Sequence, residues 1–432
     1  MNLNPEFERQ LILECSLARL VGAPVVLSAV FTLTYFLDDY RLGNISAQAA
    51  LTLFMLITLL WGTRQSLDSI VEEYRDRTWD TQRLSALGPW QMTWGKLLGS
   101  TSMAWYCAGI CLLVHALATD NPASLPLLFF YAIGTALLVQ STGLLLGLLA
   151  VQRGQLKTGS ILILVLVGFI VFMPSLTDLT DTANYLPGNF QSNSWYSLTI
   201  NAQTLHQISL IFALFWCMMG NYRLLAQDLG LRNLPWAWLG FTLFLIVYLG
   251  GFIPSSSYSF SLAAFAVCSV LTYVGVIVER HEPMRIKRLL DYYRQANWRR
   301  VGEELPLSAL SFALSLPFAI FLSFQEQRFA WLDISLHAYP LAIALLVLRD
   351  CAIYLFFCYG KNPQRAFSLS LLCAALLYGI LPGLFGMIGM TGISAVFFPL
   401  WADSAIAALV FAVLQCVLIL RLLYQRWRQN IS

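Results

Sequence analysis

The densest run of groups able to carry charge or orient a partner lies between Glu72 and Leu98, reading EEYRDRTWDTQRLSALGPWQMTWGKLL. Ile70, Val71, Tyr74, Leu84 and Leu87 recur there at helical spacing, while Glu72, Glu73, Arg75, Asp76, Arg77, Asp80 and Arg83 crowd the remaining positions. The pattern predicts a polar helix with one apolar stripe, facing water or a partner protein. A solvated face is the plainest use of such a charge run. The stretch is not a nucleotide-binding P-loop, because Gly88 and Gly95 are too far apart and Lys96 is followed by Leu97, not Ser or Thr.

A second charged run, Glu279 to Leu305, carries Arg280, Arg285, Lys287, Arg288, Arg294, Arg299 and Arg300, with Ile286, Leu289, Leu290 and Tyr293 on one face. It lacks the threonine and acid arrangement of the first. Two uses suit it: a diverged copy of the first segment, or a basic helix resting on anionic lipid. Arg349 and Asp350 interrupt an apolar stretch from Leu341 to Tyr359. Ionisable groups at such depth mark a pathway, or snorkel and brace a neighbouring helix, and bracing is the simpler use.

Cys107, Cys111 and His115 share a helical face at i, i+4 and i+8, a spacing open to a metal but equally that of small packing residues beside one satisfied histidine. His115, His206, His281 and His337 lie in separate segments without metal-ligand spacing, so no metal is expected. All nine cysteines but Cys15 lie in or at the ends of apolar runs, which argues against a disulfide framework.

The elements that must position these groups are set by composition. Of 432 residues, 58% are hydrophobic and 11% charged, too apolar a balance for a water-soluble core. Apolar runs long enough to cross a hydrocarbon slab of roughly 30 Å recur along the whole chain. They lie near residues 20–37, 47–63, 97–118, 125–151, 158–176 and 203–220, then 234–252, 258–278, 306–324, 336–359, 366–390 and 404–423. The amino terminus mixes Glu6, Glu8, Arg9 and Glu14 with apolar residues and does not read as a cleaved signal. With that terminus in the cytoplasm, all of the 26 Lys and Arg residues except Arg41 and Arg328 fall on the cytoplasmic side. The sequence therefore predicts an all-α polytopic membrane protein of about twelve transmembrane helices, with both termini cytoplasmic.

Residues 1–228 and 229–432 each supply six predicted spans that begin and end on the same side, so an internal repeat would be parallel. Each half places its longest cytoplasmic segment between its second and third spans. Their closing tails are alike, RLLAQ at 223–227 and RLLYQ at 421–425. Gly95 with Gly99, Gly143 with Gly147, and Gly379 with Gly383 form small-residue pairs that predict close helix packing.

The segment after the second span resembles that of the permeases of ABC-2 type ABC transporters. These carry a glutamate, three residues, Gly-Thr, an apolar residue and an acid, then a proline-containing turn and Gly-Lys at the third span. Here Glu73, Thr78, Trp79, Asp80, Pro89 with Trp90, and Gly95 with Lys96 stand at those places without a gap. Arg77 replaces the family's glycine, and Ala86 stands where a first proline is common. Pro5 to Ala18 is similar to the family's interfacial connecting helix, and the resemblance covers roughly residues 1–225.

The resemblance implies that Glu72, Glu73, Arg77, Thr78, Trp79, Asp80 and Arg83 belong to a coupling helix seated in a separate ATP-binding subunit. Glu72, Glu73 and Asp80 would pair with basic groups of that partner, Arg75, Arg77 and Arg83 with acidic ones, and Trp79 would be the apolar anchor. Arg285, Arg288 and Arg294 would mark a second coupling or lipid-surface helix, and Arg349 and Asp350 an intramembrane pair. The family also places short re-entrant helices of an external gate at the positions of Leu176–Asn201 and Gly386–Asp403, and a plain polar loop is an equal reading of the first. The chain is then not an enzyme and holds no cofactor, ATP and Mg residing in the partner subunit. It would act as an exporter in a bacterial inner membrane, as a homodimer or with a second permease, and without nucleic acid. An ion-gradient-driven transporter of twelve helices is the alternative, but it needs ionisable groups at mid-membrane, which the spans scarcely offer.

Overall fold

The computed structural model describes residues 4–85, 87–152, 192–196, 198–231, 234–253, 256–325, 328–329, 334–335, 339–402 and 404–431. The predicted span at 158–176 and the first proposed gate segment, with Asp178, Asp181, Pro187 and Gly188, fall outside them except for a short ribbon, Ser192–Trp195 with Leu198–Asn201. The chain divides into two compact units, Met1–Asn193 with Ile200–Asn233, and Ser194–Thr199 with Leu234–Ser432.

The first unit opens with α1 (Pro5–Glu14), where Pro5 takes the first helical position and the Asn4 side chain accepts from the Glu6 N–H. Ser16 caps α2 (Leu17–Leu37). Then come α3 (Asn44–Met55), a π-helical stretch Leu56–Gly62, and α4 (Thr63–Arg75), which together form one continuous rod. The π stretch has a local cause. Buried Gln140 donates to the Thr58 carbonyl at 3.1 Å, and a Cβ on Gly62 would lie 2.5 Å from its Nε2, so glycine makes room for the amide.

Next are α5 (Trp79–Arg83), α6 (Pro89–Ser100), α7 (Ser102–Ala118), α8 (Leu125–Gln152) and α9 (Ala202–Asp228). α4 lies tight on α8, because Gly143 and Gly147 bring its backbone against Thr63 and Leu67. Leu67, Ile70, Val71, Leu144 and Leu148 form the core of that seam. Cys107 and Cys111 pack in a second core, and His115 Nδ1 lies 2.8 Å from the Ala47 carbonyl oxygen.

The second unit contains α10 (Trp236–Gly250), α11 (Ser257–Val278), α12 (Pro283–Arg294), α13 (Trp298–Glu304), α14 (Leu307–Ser323) and α15 (Tyr339–Cys358). α16 (Ala366–Ala375) passes through a π-helical turn, Leu376–Ile380, into α17 (Leu381–Met387), followed by α18 (Thr391–Phe397) and α19 (Ala405–Ile431). Gly275 brings α11 against the start of α14, where a Cβ would lie 2.9 Å from the Ser308 nitrogen. Gly379 and Gly383 have nothing within 4 Å of their Cβ positions, so the third glycine pair does not pack helices within the described chain.

Among the described residues, eight helices are long and apolar enough to cross a membrane, and up to ten if two bent pairs each count as one span. The chain is an all-α, multi-pass membrane protein. α10, with 15 residues, is shorter than a full span. Several boundaries differ from those expected: the helix of the second span continues to Arg75, because Leu67, Ile70 and Val71 keep an apolar face against α8, α9 runs on to Asp228 and α19 to Ile431, and a 55° bend between α6 and α7 breaks the third predicted span.

Candidate functional site

The polar segment after α4 is not one long helix. α4 stops at Asp76; Arg77 takes a left-handed backbone with φ 58°, its N–H donating to Tyr74 and that of Thr78 to the Glu73 carbonyl. This double closure is the glycine-type helix stop. Arg77 thus holds the one position where the resembled family prefers glycine, and the backbone shows why. Beyond it, α5 supplies a single turn carrying Asp80 and Arg83, 3.8 Å apart, and both exposed.

Two residues assigned to a partner are turned inward. Trp79 is 2% exposed and packs in the core with Leu67, Ile70 and Leu148. Glu73 is buried and accepts from Arg9, from Lys96 and, at 3.1 Å, from Gln10 Nε2. Neither is available to a partner in this state. Burying indole surface and a carboxylate that already has cationic partners is favoured over exposing them. Glu72, Arg75, Asp76, Arg77, Thr78, Asp80 and Arg83 remain at the surface, whereas Leu84, expected on the apolar stripe, is exposed.

The inward groups form a four-charge junction. Lys96, with no exposed surface, donates to Glu73 and lies 3.1 Å from Glu6 Oε1; Arg9 bridges the same two carboxylates. Two acids and two bases balance, so little net charge is buried. The Lys96 ammonium also sits 5.3 Å over the Trp79 ring. Burial alone would raise the Glu6 carboxyl, but hydrogen bonds from Arg9 and the charge of Lys96 outweigh it and hold it below the usual range. The same carboxylates hold Arg9 firmly protonated, its pKa raised against the opposing effect of burial.

Gly95 and Gly99 are the seat for this arrangement. A Cβ on Gly95 would lie 2.7 Å from Glu6 Cβ, and one on Gly99 2.6 Å from Gln10 Cβ. Their partner is therefore α1, which lies across α6. The chemistry available here is mechanical: α1, α4 and α6 are clamped by charge at the root of an exposed, charged turn.

Residues 26–278 match the family model described as ABC-2 family transporter protein, which is more than half of the chain. The chain belongs to the ABC-2 transporter family. No curated protein and no solved structure matches it. The permease is thus a membrane transport component and not itself catalytic. The matched span begins within α2 and ends at Val278, so it runs beyond the first unit through α10 and α11.

In the second unit of the permease, a repeat appears that loop lengths alone did not reveal. Glu72, Tyr74, Arg75 and Trp79 are answered by Asp291, Tyr293, Arg294 and Trp298, each 219 residues later (72 to 291, 79 to 298). The backbone repeats with them. α12 ends at Gln295, Ala296 is left-handed with φ 52°, and the N–H groups of Ala296 and Asn297 donate to Tyr293 and Tyr292. Asn297 then caps α13, as Thr78 precedes α5. The signal was present in the letters EEYRDRTW and DYYRQANW, although the threonine and acid that carried the resemblance are absent from the second.

Surroundings differ between the copies. Trp298 is 67% exposed where Trp79 is buried. Arg285 pairs with Glu279 at 3.1 Å and donates to the carbonyls of Glu304 and Leu305, and Arg288 pairs with Glu304 at 3.0 Å, so these two staple the base of the α12–α13 hairpin. Arg294 is exposed at its tip.

Arg349 does not snorkel. It is 1% exposed, paired with Asp350 at 2.7 Å, bonded to Gln415 of α19, and 4.8 Å from the Tyr378 ring. Asp350 also accepts from Tyr273 at 3.0 Å and Tyr378 at 2.6 Å. Gln415 continues the chain of bonds to the Phe397 carbonyl. That carbonyl ends α18, which folds back on α17 as a short helical hairpin, with Phe385 and Phe397 stacked and Ser394 bonded to the Pro382 carbonyl. Beside Asp350 a cavity of about 290 Å³ opens, its wall mainly apolar, with Tyr273, Ile277, Phe367 and Leu371.

Proposed function

We propose that this chain is the membrane-spanning permease subunit of an ATP-driven exporter, coupled to a separate ATP-binding subunit through the turn Tyr74–Ser85. The observation that carries the reading is the junction of Glu6, Arg9, Glu73 and Lys96, which roots that turn on α1, α4 and α6. A push on an exposed turn moves a helix only if its root is stiff. Here the root is a closed charge cluster with tryptophan packed beneath it, and displacement of the turn would carry α4 and α6 with it. Arg75, Arg77, Asp80 and Arg83 are the contacts left for the partner, which supplies ATP and Mg.

In this reading about twelve spans place both termini and the coupling turn in the cytoplasm of a bacterial inner membrane, and the bundles alternate between inward and outward openings. The α17–α18 hairpin is the external gate of the second half, braced through Gln415 by Arg349. The apolar cavity beside Asp350 suits an amphipathic cargo. An ion-driven cycle is less well supported, because Asp350 already has Arg349, Tyr273 and Tyr378 as partners. Association of two copies, or of this chain with a second permease, is compatible with one coupling turn per first unit.

The test is the purified permease with its ATP-binding subunit in proteoliposomes. Asp80→Arg and Arg83→Glu should leave assembly in the membrane intact while transport-linked ATP hydrolysis falls at least about tenfold, as expected when a charged interface contact is reversed. Wild-type coupling in both variants, or cargo movement with no ATP-binding subunit, would refute the assignment.

A further inference from the structure

The repeated turn has a different surface in each unit. Around the second copy, every residue from Tyr293 to Arg300 is exposed, and neither α12 nor α13 contains a buried residue. Tyr293 and Trp298 meet edge to face at 5.7 Å on this tip, 60% and 67% exposed. Along α12, Met284, Lys287, Leu290 and Arg294 form one exposed stripe at helical spacing, with the exposed acid Asp291 beside it.

The hairpin is firmly held at its base and open at its tip. Arg285 and Arg288 bind Glu279, Glu282 and Glu304, and Trp427 of α19 donates to the Pro283 carbonyl at 2.9 Å. Arg300 turns back over the Tyr292 ring at 5.2 Å. The outward cations are Lys287, Arg294 and Arg299, the last with only a 3.8 Å approach to Glu303.

Direction decides what such a surface meets. α13 is turned 100° from α14. If α14 crosses the bilayer, α13 runs in the plane of the membrane, at the depth where its chain leaves the hydrocarbon. An aromatic pair with one apolar side, flanked by outward cations and lying in that plane, matches the headgroup layer: indole and phenol rings favour the interface, and Lys and Arg favour phosphate. The first copy differs on both counts: Trp79 is in the core, and its exposed acids Glu72, Asp76 and Asp80 balance Arg75, Arg77 and Arg83, whereas at the second tip Lys287, Arg294, Arg299 and Arg300 outnumber Asp291.

We propose that the tip of the α12–α13 hairpin rests on anionic phospholipid headgroups, with Tyr293 and Trp298 inserted at the interface and Lys287, Arg294 and Arg299 on the phosphates. The second copy of the turn is then a lipid-borne foot, and the first remains the one offered to the ATP-binding subunit.

The test uses the full-length protein in nanodiscs of phosphatidylcholine alone and of an equal mixture with phosphatidylglycerol, reading backbone hydrogen exchange at residues 293–300. Exchange should be at least about tenfold slower in the anionic discs, and Lys287→Gln with Arg299→Gln, or Trp298→Ala, should remove most of that difference. α4 and α8 amides, as internal controls, should exchange alike in both discs and in every variant, which separates loss of lipid contact from loss of fold. Equal exchange at 293–300 in both discs overturns the proposal. So does protection that appears in neutral discs only when an ATP-binding subunit is added, because the tip would then be a protein-docking surface. Neither outcome bears on coupling through Asp80.

Discussion

Lys96 and Glu6 lie 3.1 Å apart with almost no exposed surface on either, one on the helix that opens the third predicted span and the other on the amino-terminal helix. Their pairing means that α1 is part of the first unit's structural frame. Lys96→Met should therefore destabilise the protein by about 3–5 kcal/mol, because Arg9 would be the one cation left to pair with both Glu6 and Glu73 in this cluster. Lys96→Met with Glu73→Met should recover more than half of that loss, since acid and base are removed together. Thermal unfolding in one detergent compares the three proteins.

A side chain at Gly95 or Gly99 should lift α1 from α6. Gly99→Val is expected to cost about 1–3 kcal/mol through overpacking against Gln10, and to expose the Arg9 peptide bond to trypsin. Gly109→Ala, where nothing lies within 4 Å, should be neutral or slightly stabilising. Cleavage rate and melting temperature together discriminate the two sites.

At Arg77 the backbone is left-handed, a conformation unfavourable for any residue with a Cβ. Arg77→Gly should raise stability by about 0.5–1 kcal/mol after the entropic cost of glycine. Because Arg77 is also one of the exposed residues proposed to meet the ATP-binding subunit, that proposal predicts that the same variant weakens binding of the subunit. A higher melting temperature with a lower affinity would separate the two roles of this residue.

Trp79 and Trp298 occupy equivalent turns but opposite environments. Trp79→Ala should cost about 3–5 kcal/mol by opening the core beneath α5. Trp298→Ala should change stability by less than about 0.5 kcal/mol in detergent. Equal losses would mean that the two turns are buried alike.

Acid should loosen the junction. The folded pKa of Glu6 lies below its ordinary value of 4.5, so its contribution is complete above that value and disappears as pH falls through the lowered folded value. Melting temperature should therefore fall with acidification below about pH 4.5 in the wild type. Glu6→Gln should be less stable at neutral pH and show a flatter acid limb.

How much of this was legible in the sequence differs from residue to residue. Pro5, Ser16, Pro89 and Asn297 announce helix starts by local chemistry, and helices begin there. The charged turn after the second span was visible as a break in apolar composition. Gly143 and Gly147 promised close packing and have it, whereas Gly379 and Gly383 carry the same spacing and touch nothing, because a small residue permits an approach without supplying the neighbour.

The order of residues alone determined that lipid is the solvent for most of this chain, that helices must cross it, and where charge returns to water between them. Those are local properties: a run of apolar side chains cannot be hydrated wherever the rest of the chain lies. Only the tertiary structure decided that Glu73 and Trp79 face inward and Asp80 outward. Periodicity states which residues share a face, but what covers that face comes from elsewhere, here from Arg9, 64 residues before Glu73, and from Lys96, 23 after it.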